Sequence, residues 1–90
     1  MKTFKDINAL EKRLKKGICW QDWIKVGGRV FKNVEYGDRE GENYMLFQNK
    51  TTTDIIDIGY QVPTFHKGVQ TKFYKFNNII AYNNGELYRY

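Results

Sequence analysis

KFYKFNNIIAYNNGELYRY, residues 72–90, holds three short apolar and aromatic runs separated by two asparagine-rich breaks. Asn-Asn and Asn-Gly suit the positive-φ positions of tight hairpin turns, and no proline interrupts the runs, so the stretch predicts an antiparallel meander. With two-residue loops at Asn77-Asn78 and Asn84-Gly85, side-chain alternation puts Tyr74, Ala81 and Tyr88 on one face, flanked by Phe76, Ile79 and Tyr90. Phe73, Ile80, Tyr82 and Leu87 fall on the other, with Lys75 and Arg89. One face must cover a core. The other is left tyrosine-rich and partly basic, and is the leading candidate for contact with a partner. A longer loop at residues 83–85 would slip the last strand by one residue and exchange its two faces.

Upstream, Gly27-Gly28 separates ICWQDWIKV from RVFKNVEY and reads as a second hairpin turn. In that register Ile24, Val26 and Phe31 share one face and Trp23, Val30 and Val34 the other, so the hairpin is expected to be either central in the sheet or packed on two sides. GDREGEN, residues 37–43, reads as an exposed polar loop, and YMLFQ, residues 44–48, as a buried strand. Ile56, Ile58, Tyr60 and Val62 alternate in a further strand, with a bulge expected at Gly59 and an end at Pro63. Residues 63–71 show no period and read as irregular.

Residues 3–16 carry the one helical pattern. Phe4, Ile7, Leu10 and Leu14 form an apolar stripe, Thr3 or Asp6 can cap the start, and Gly17 suits the stop. Lys12, Arg13, Lys15 and Lys16 crowd the last turns. Cations favour a helix C-terminus on electrostatic grounds alone, so the cluster does not require a phosphate partner. The expected fold is α+β: one N-terminal amphipathic helix packed on an antiparallel, mostly meander sheet of about five to six short strands. With no linker or repeat, the 90 residues read as a single domain.

The net charge is +5, laid out as +6 over residues 1–32, −4 over 33–62 and +3 over 63–90. This basic–acidic–basic layout is compatible with one polyanion-facing surface, and equally with internal pairing between the segments. The single cysteine, Cys19, precludes an internal disulfide and fits a reducing compartment. With no apolar leader and no membrane-length apolar run, the expected location is cytoplasmic. Abundant Lys, Asn, Ile, Tyr and Phe are what AT-rich codons encode, as in a low-GC bacterium or its phage.

The chain carries no zinc-ligand spacing, EF-hand, P-loop or dinucleotide fingerprint, and no metal or cofactor is expected. Asp54, Asp57 and the Asp38/Glu40/Glu42 loop read as solvated carboxylates, and Asn49-Lys50-Thr51 is a sequon with meaning only in a secreted protein. His66, Lys67, Tyr88 and Arg89 supply the residue types of a small ribonuclease, the one enzymatic alternative left open. The favoured reading is a non-enzymatic module that engages nucleic acid or a nucleoprotein. Lys72, Lys75 and Arg89, with Arg29 and Lys32 from the earlier hairpin, would neutralise phosphates while Tyr74, Tyr88 and Tyr90 stack on bases. The alternatives are a phage- or mobile-element-type inhibitor acting on a host nuclease or other defence enzyme by protein contact, and an assembly protein whose aromatic face is buried in an oligomer.

Overall fold

The computed structural model describes residues 1–18, 21–52, 54–61, 65–70, 75–83 and 86–89, of which 65, 66, 70, 75, 82, 83 and 86–89 are described by their backbone alone. Tight two-residue turns set the strand pairing. Gly27 and Gly28, at φ 58° and 79°, join β2 (Trp23–Val26) to β3 (Arg29–Arg39), with Val26 opposite Arg29. Glu40 and Gly41, at 51° and 79°, join β3 to β4 (Glu42–Asn49). Two successive positive φ values are the mark of the hairpin turn whose twist matches that of its strands.

From β4 the chain runs antiparallel into β5 (Ile55–Gln61), which pairs with β8 (Lys75–Asn83), which pairs with β9 (Glu86–Arg89). Between β5 and β8 a separate hairpin, β6 (Phe65–His66) and β7 (Val69–Gln70), turns at Lys67-Gly68. At the other end β1 (Lys2–Phe4) lies parallel to β2. The main sheet is therefore mixed, in the order β1-β2-β3-β4-β5-β8-β9.

Strict alternation on β4 divides the two faces. Met45 and Phe47 point to the core with Ile24, Val26, Phe31, Ile56, Ile58, Tyr60 and Ile79, and the helix α1 (Ile7–Leu14) seals this face with Leu10 and Leu14. Burying a Leu or Phe side chain contributes about 1.5–3 kcal/mol, so this one-sided layer supplies the main cohesion.

Several expectations are corrected. The helix begins at Ile7, not residue 3, because residues 2–4 find a better partner in β2: Thr3 pairs with Lys25, and Gly27 N donates to Phe4 O at 3.1 Å. Asp6 is the cap, its carboxylate accepting from Ala9 N at 2.8 Å. Asn77-Asn78 is no turn. β8 runs straight through it, and the register steps from Gly59↔Asn78 to Tyr60↔Phe76, leaving Asn77 as the extra residue of a bulge. The bulge expected at Gly59 exists, with its surplus residue on the facing strand. It reverses alternation as a turn would, so Phe76, Ile79 and Ala81 still share a face. That face belongs to the core, since Ile79 is 1% exposed. Residues 37–43 are mostly strand, with only Glu40 and Gly41 in the turn, and residues 65–70 form a hairpin instead of irregular chain. The β2–β3 hairpin is interior to the sheet, flanked by β1 and β4, but packs on one side only. Trp23 and Val30 are half-buried, and Val34, the surplus residue of a second bulge between Asn33 and Glu35, is half exposed.

Gly59 is required for space. A Cβ there would collide with Glu42 Oε1 and Asn78 Oδ1, which lie over it from the two neighbouring strands. Gly59→Ala is expected to destabilise the protein by about 1–3 kcal/mol in chemical denaturation, the usual cost of overpacking.

Candidate functional site

The sheet face away from α1 carries two polar assemblies. The first is centred on β3, β4 and β5. Asp57 lies opposite Leu46 and Ile80 and is buried, and Arg39 reaches it from the end of β3 with Nη2 at 3.0 Å from both carboxylate oxygens. The same guanidinium stacks 4.4 Å above the Tyr44 ring. Partial burial alone would lower the Arg39 pKa, but the hydrogen bond and charge of Asp57 outweigh it and hold the guanidinium above its ordinary value. Tyr44 donates its hydroxyl to Glu35 at 3.0 Å, and that bond, then burial and the Glu35 charge, raise the phenol above the ordinary tyrosine range. Beside them Glu42 Oε1 is buried without a hydrogen-bond partner among the described residues.

A second buried carboxylate, Asp54, is paired with Arg29, whose guanidinium also sits 5.4 Å from the Phe31 ring. Both aspartates expected to be solvated are thus buried and salt-bridged. Among the described residues no three or more His, Cys, Asp or Glu side chains cluster as a metal site.

The second assembly lies at the β2 end of the same face. Lys32 stands opposite Trp23, Lys25 is two residues along β2 and so shares the face, and Lys32 Nζ lies 5.4 Å from the Trp23 ring. Lys50 reaches the same ring at 5.6 Å. Its place is built by Asn49, whose buried side-chain oxygen accepts from Thr51 N at 2.9 Å, Thr51 Oγ1 at 3.0 Å and Thr52 N at 3.2 Å. That local turn ends β4 and lets Lys50 N donate to Val30 O at 3.1 Å. Asn49 is therefore a turn-former, whatever its sequon. Among the described residues no carboxylate pairs with Lys25, Lys32 or Lys50; the ion pairs there are Lys15–Glu11, Arg29–Asp54 and Arg39–Asp57.

The described residues among those expected to form the site take separate places. Lys32 belongs to the tryptophan assembly, whereas Arg29 is engaged by Asp54. Tyr88 pairs with Ala81 and Arg89 with Ile80, so these two backbone positions fall on opposite faces of β9. Lys75 pairs with Gln61 at the start of β8. Lys72, Tyr74 and Tyr90 lie outside the described residues, as does Cys19, and His66 is described only as a backbone position in β6. The helix cations behave as their placement suggests: Arg13 donates to Gly17 O at 3.0 Å and Lys15 pairs with Glu11. Lys25, Lys50 and Trp23 were the site residues missed. The parity of β2 and β3 about Gly27-Gly28 was the signal that could have grouped Trp23 with Lys25 and Lys32; Lys50 joins only through the fold of β4.

No family model, curated protein or solved structure matches this chain. Among the described residues no helix is long and apolar enough to cross a membrane.

Two outcomes test the first assembly. Arg39→Met leaves Asp57 buried without its donor and is expected to lower stability by about 1–3 kcal/mol, with the half-exposed position of Arg39 keeping the loss modest. Because the Tyr44 pKa is raised on folding, its contribution is complete below the unfolded tyrosine value and disappears as pH rises through the folded one. Tyr44→Phe is therefore expected to remove a late-ionising phenol from an ultraviolet titration and to flatten the alkaline loss of stability.

Proposed function

We propose that this protein is a small non-enzymatic binding module that engages nucleic acid, or a nucleoprotein through its nucleic acid, by a basic and aromatic sheet face. The observation that carries this reading is the grouping of Trp23 with Lys25, Lys32 and Lys50. Two ammonium groups lie 5.4 and 5.6 Å from one indole, and no carboxylate among the described residues forms an ion pair with them. Of the two arginines on β3, Arg39 is held by Asp57 on this face and Arg29 by Asp54 on the other. Surplus positive charge on the described sheet surface is thus gathered at the β2 end. Lysines that neutralise phosphates there release counterions condensed on the nucleic acid, which gives an affinity that falls with salt.

This face differs from the closing ribbon of the chain, on which tyrosines were expected to stack. The mechanism is the same, a cationic sheet face with an aromatic platform, but its described residues come from β2, β3 and the end of β4.

A second reading, a protein-contact module such as an inhibitor of a host enzyme, rests on a different surface. Tyr36 is 69% exposed and Val34 50% on β3, and β9 forms one edge of the sheet. An edge strand and an exposed aromatic are common elements of protein recognition.

Titration with oligonucleotides and with heparin across a salt series separates the two. The first reading expects binding at low salt with log K falling linearly in log salt, and single Lys32→Ala or Lys50→Ala changes reducing the slope by about 1. Absence of binding to every polyanion at about 50 mM salt would discard it in favour of protein contact.

A further inference from the structure

Resting on that reading, the structure assigns a more specific ligand to the Trp23 face: an unpaired nucleic-acid strand, with a base stacked on the indole and its phosphates drawn to Lys25, Lys32 and Lys50.

The fold offers little to a duplex. Duplex readers insert a helix or a two-stranded ribbon into the major groove, and both elements exist in this chain. The helix α1 has eight residues and turns Leu10 and Leu14 into the core. Arg13 is already engaged by the Gly17 carbonyl, and Lys15, the residue that caps the helix C-terminus, by Glu11. The β3–β4 ribbon has the right shape but the wrong charge. Its tip carries Asp38, Glu40 and Glu42, and the one cation there, Arg39, is turned back onto Asp57. Phosphates flanking a groove would meet that acidic tip first and be repelled.

A single strand makes neither demand. It needs a flat platform with an aromatic ring and cations beside it, because its phosphates and base faces are open together. Trp23 meets this requirement. It is half-buried, so the backbone and neighbouring strands hold it in place, and it lies on a sheet face where Lys25 and Lys32 project from adjoining strands. The lysines over the ring are long and flexible. They can leave the indole for phosphates as a base takes their place, exchanging a weak, solvent-exposed cation–π contact for the stronger stacking of a base. A duplex has no exposed base face to make that exchange.

The test compares one mixed sequence as single-stranded DNA, single-stranded RNA and duplex DNA, with heparin as a polyanion that has no bases. Fluorescence anisotropy at about 50 mM salt reads the affinities. Both single strands are expected to bind about tenfold or more tightly than the duplex, and Trp23→Leu to weaken strand binding about tenfold or more while weakening heparin binding much less. A duplex bound as tightly as the strands overturns this inference and leaves the polyanion reading standing. Equal losses for strand and heparin in Trp23→Leu do the same. No binding to any of the four overturns both. The comparison of strand with duplex uses the unaltered protein, so it decides even where Trp23→Leu fails to fold.

Discussion

The Arg39–Asp57 pair closes the face of the sheet that no helix covers. One helix of eight residues can seal only one side of a sheet this wide, and it seals the side lined by Met45, Phe47, Ile56 and Ile58. The opposite side must shelter its own backbone at the centre. It does so with long side chains laid flat: Arg39 over Tyr44 and onto Asp57, Tyr44 onto Glu35, and Asn78 and Glu42 over the bare backbone of Gly59. A buried carboxylate is tolerable only with a hydrogen-bonded counter-charge, so the position of Arg39 follows from that of Asp57. The same logic ties Arg29 to Asp54 at the other end of β5. Two of the chain's arginines are thereby committed to cohesion. Lys25, Lys32 and Lys50, near Trp23, carry charge that no carboxylate among the described residues pairs.

Much of the strand order was legible because hairpins are local. Gly27-Gly28 supplied both positive-φ residues of its turn, and the pairing of Ile24 with Phe31 follows directly. Asn77-Asn78 offers the same local chemistry and yields a bulge, because Gly59 on the facing strand leaves room for Asn78 to lie across it. Nothing within residues 72–90 encodes that. The helix start was misplaced for a similar reason. Residues 2–4 suit a first helical turn, yet the parallel edge beside β2 satisfies their backbone through a contact more than twenty positions away.

The candidate site was less legible than the fold. Charge layout announced a cationic surface but not which cations would remain available, since that depends on which carboxylates are buried. Asp54 and Asp57 look like ordinary solvated acids in the sequence; only the sheet shows them paired with Arg29 and Arg39. Arg29 and Lys32 lie three residues apart on β3 and so meet opposite faces, one bound to an aspartate and one beside Trp23. Trp23 is expected to pack, and its half-buried position leaves part of the ring exposed.

Chemical-shift mapping of the folded protein against a short unpaired oligonucleotide at low salt tests the central claim most directly, because it locates contact without altering a residue. The account predicts that perturbed amides cluster on residues 22–26, 30–33 and 48–51, with the Trp23 indole proton among the largest shifts, while the ribbon tip at residues 38–42 stays still. Perturbations centred on the ribbon tip, on Tyr36 or on β9, with the Trp23 region silent, would contradict it.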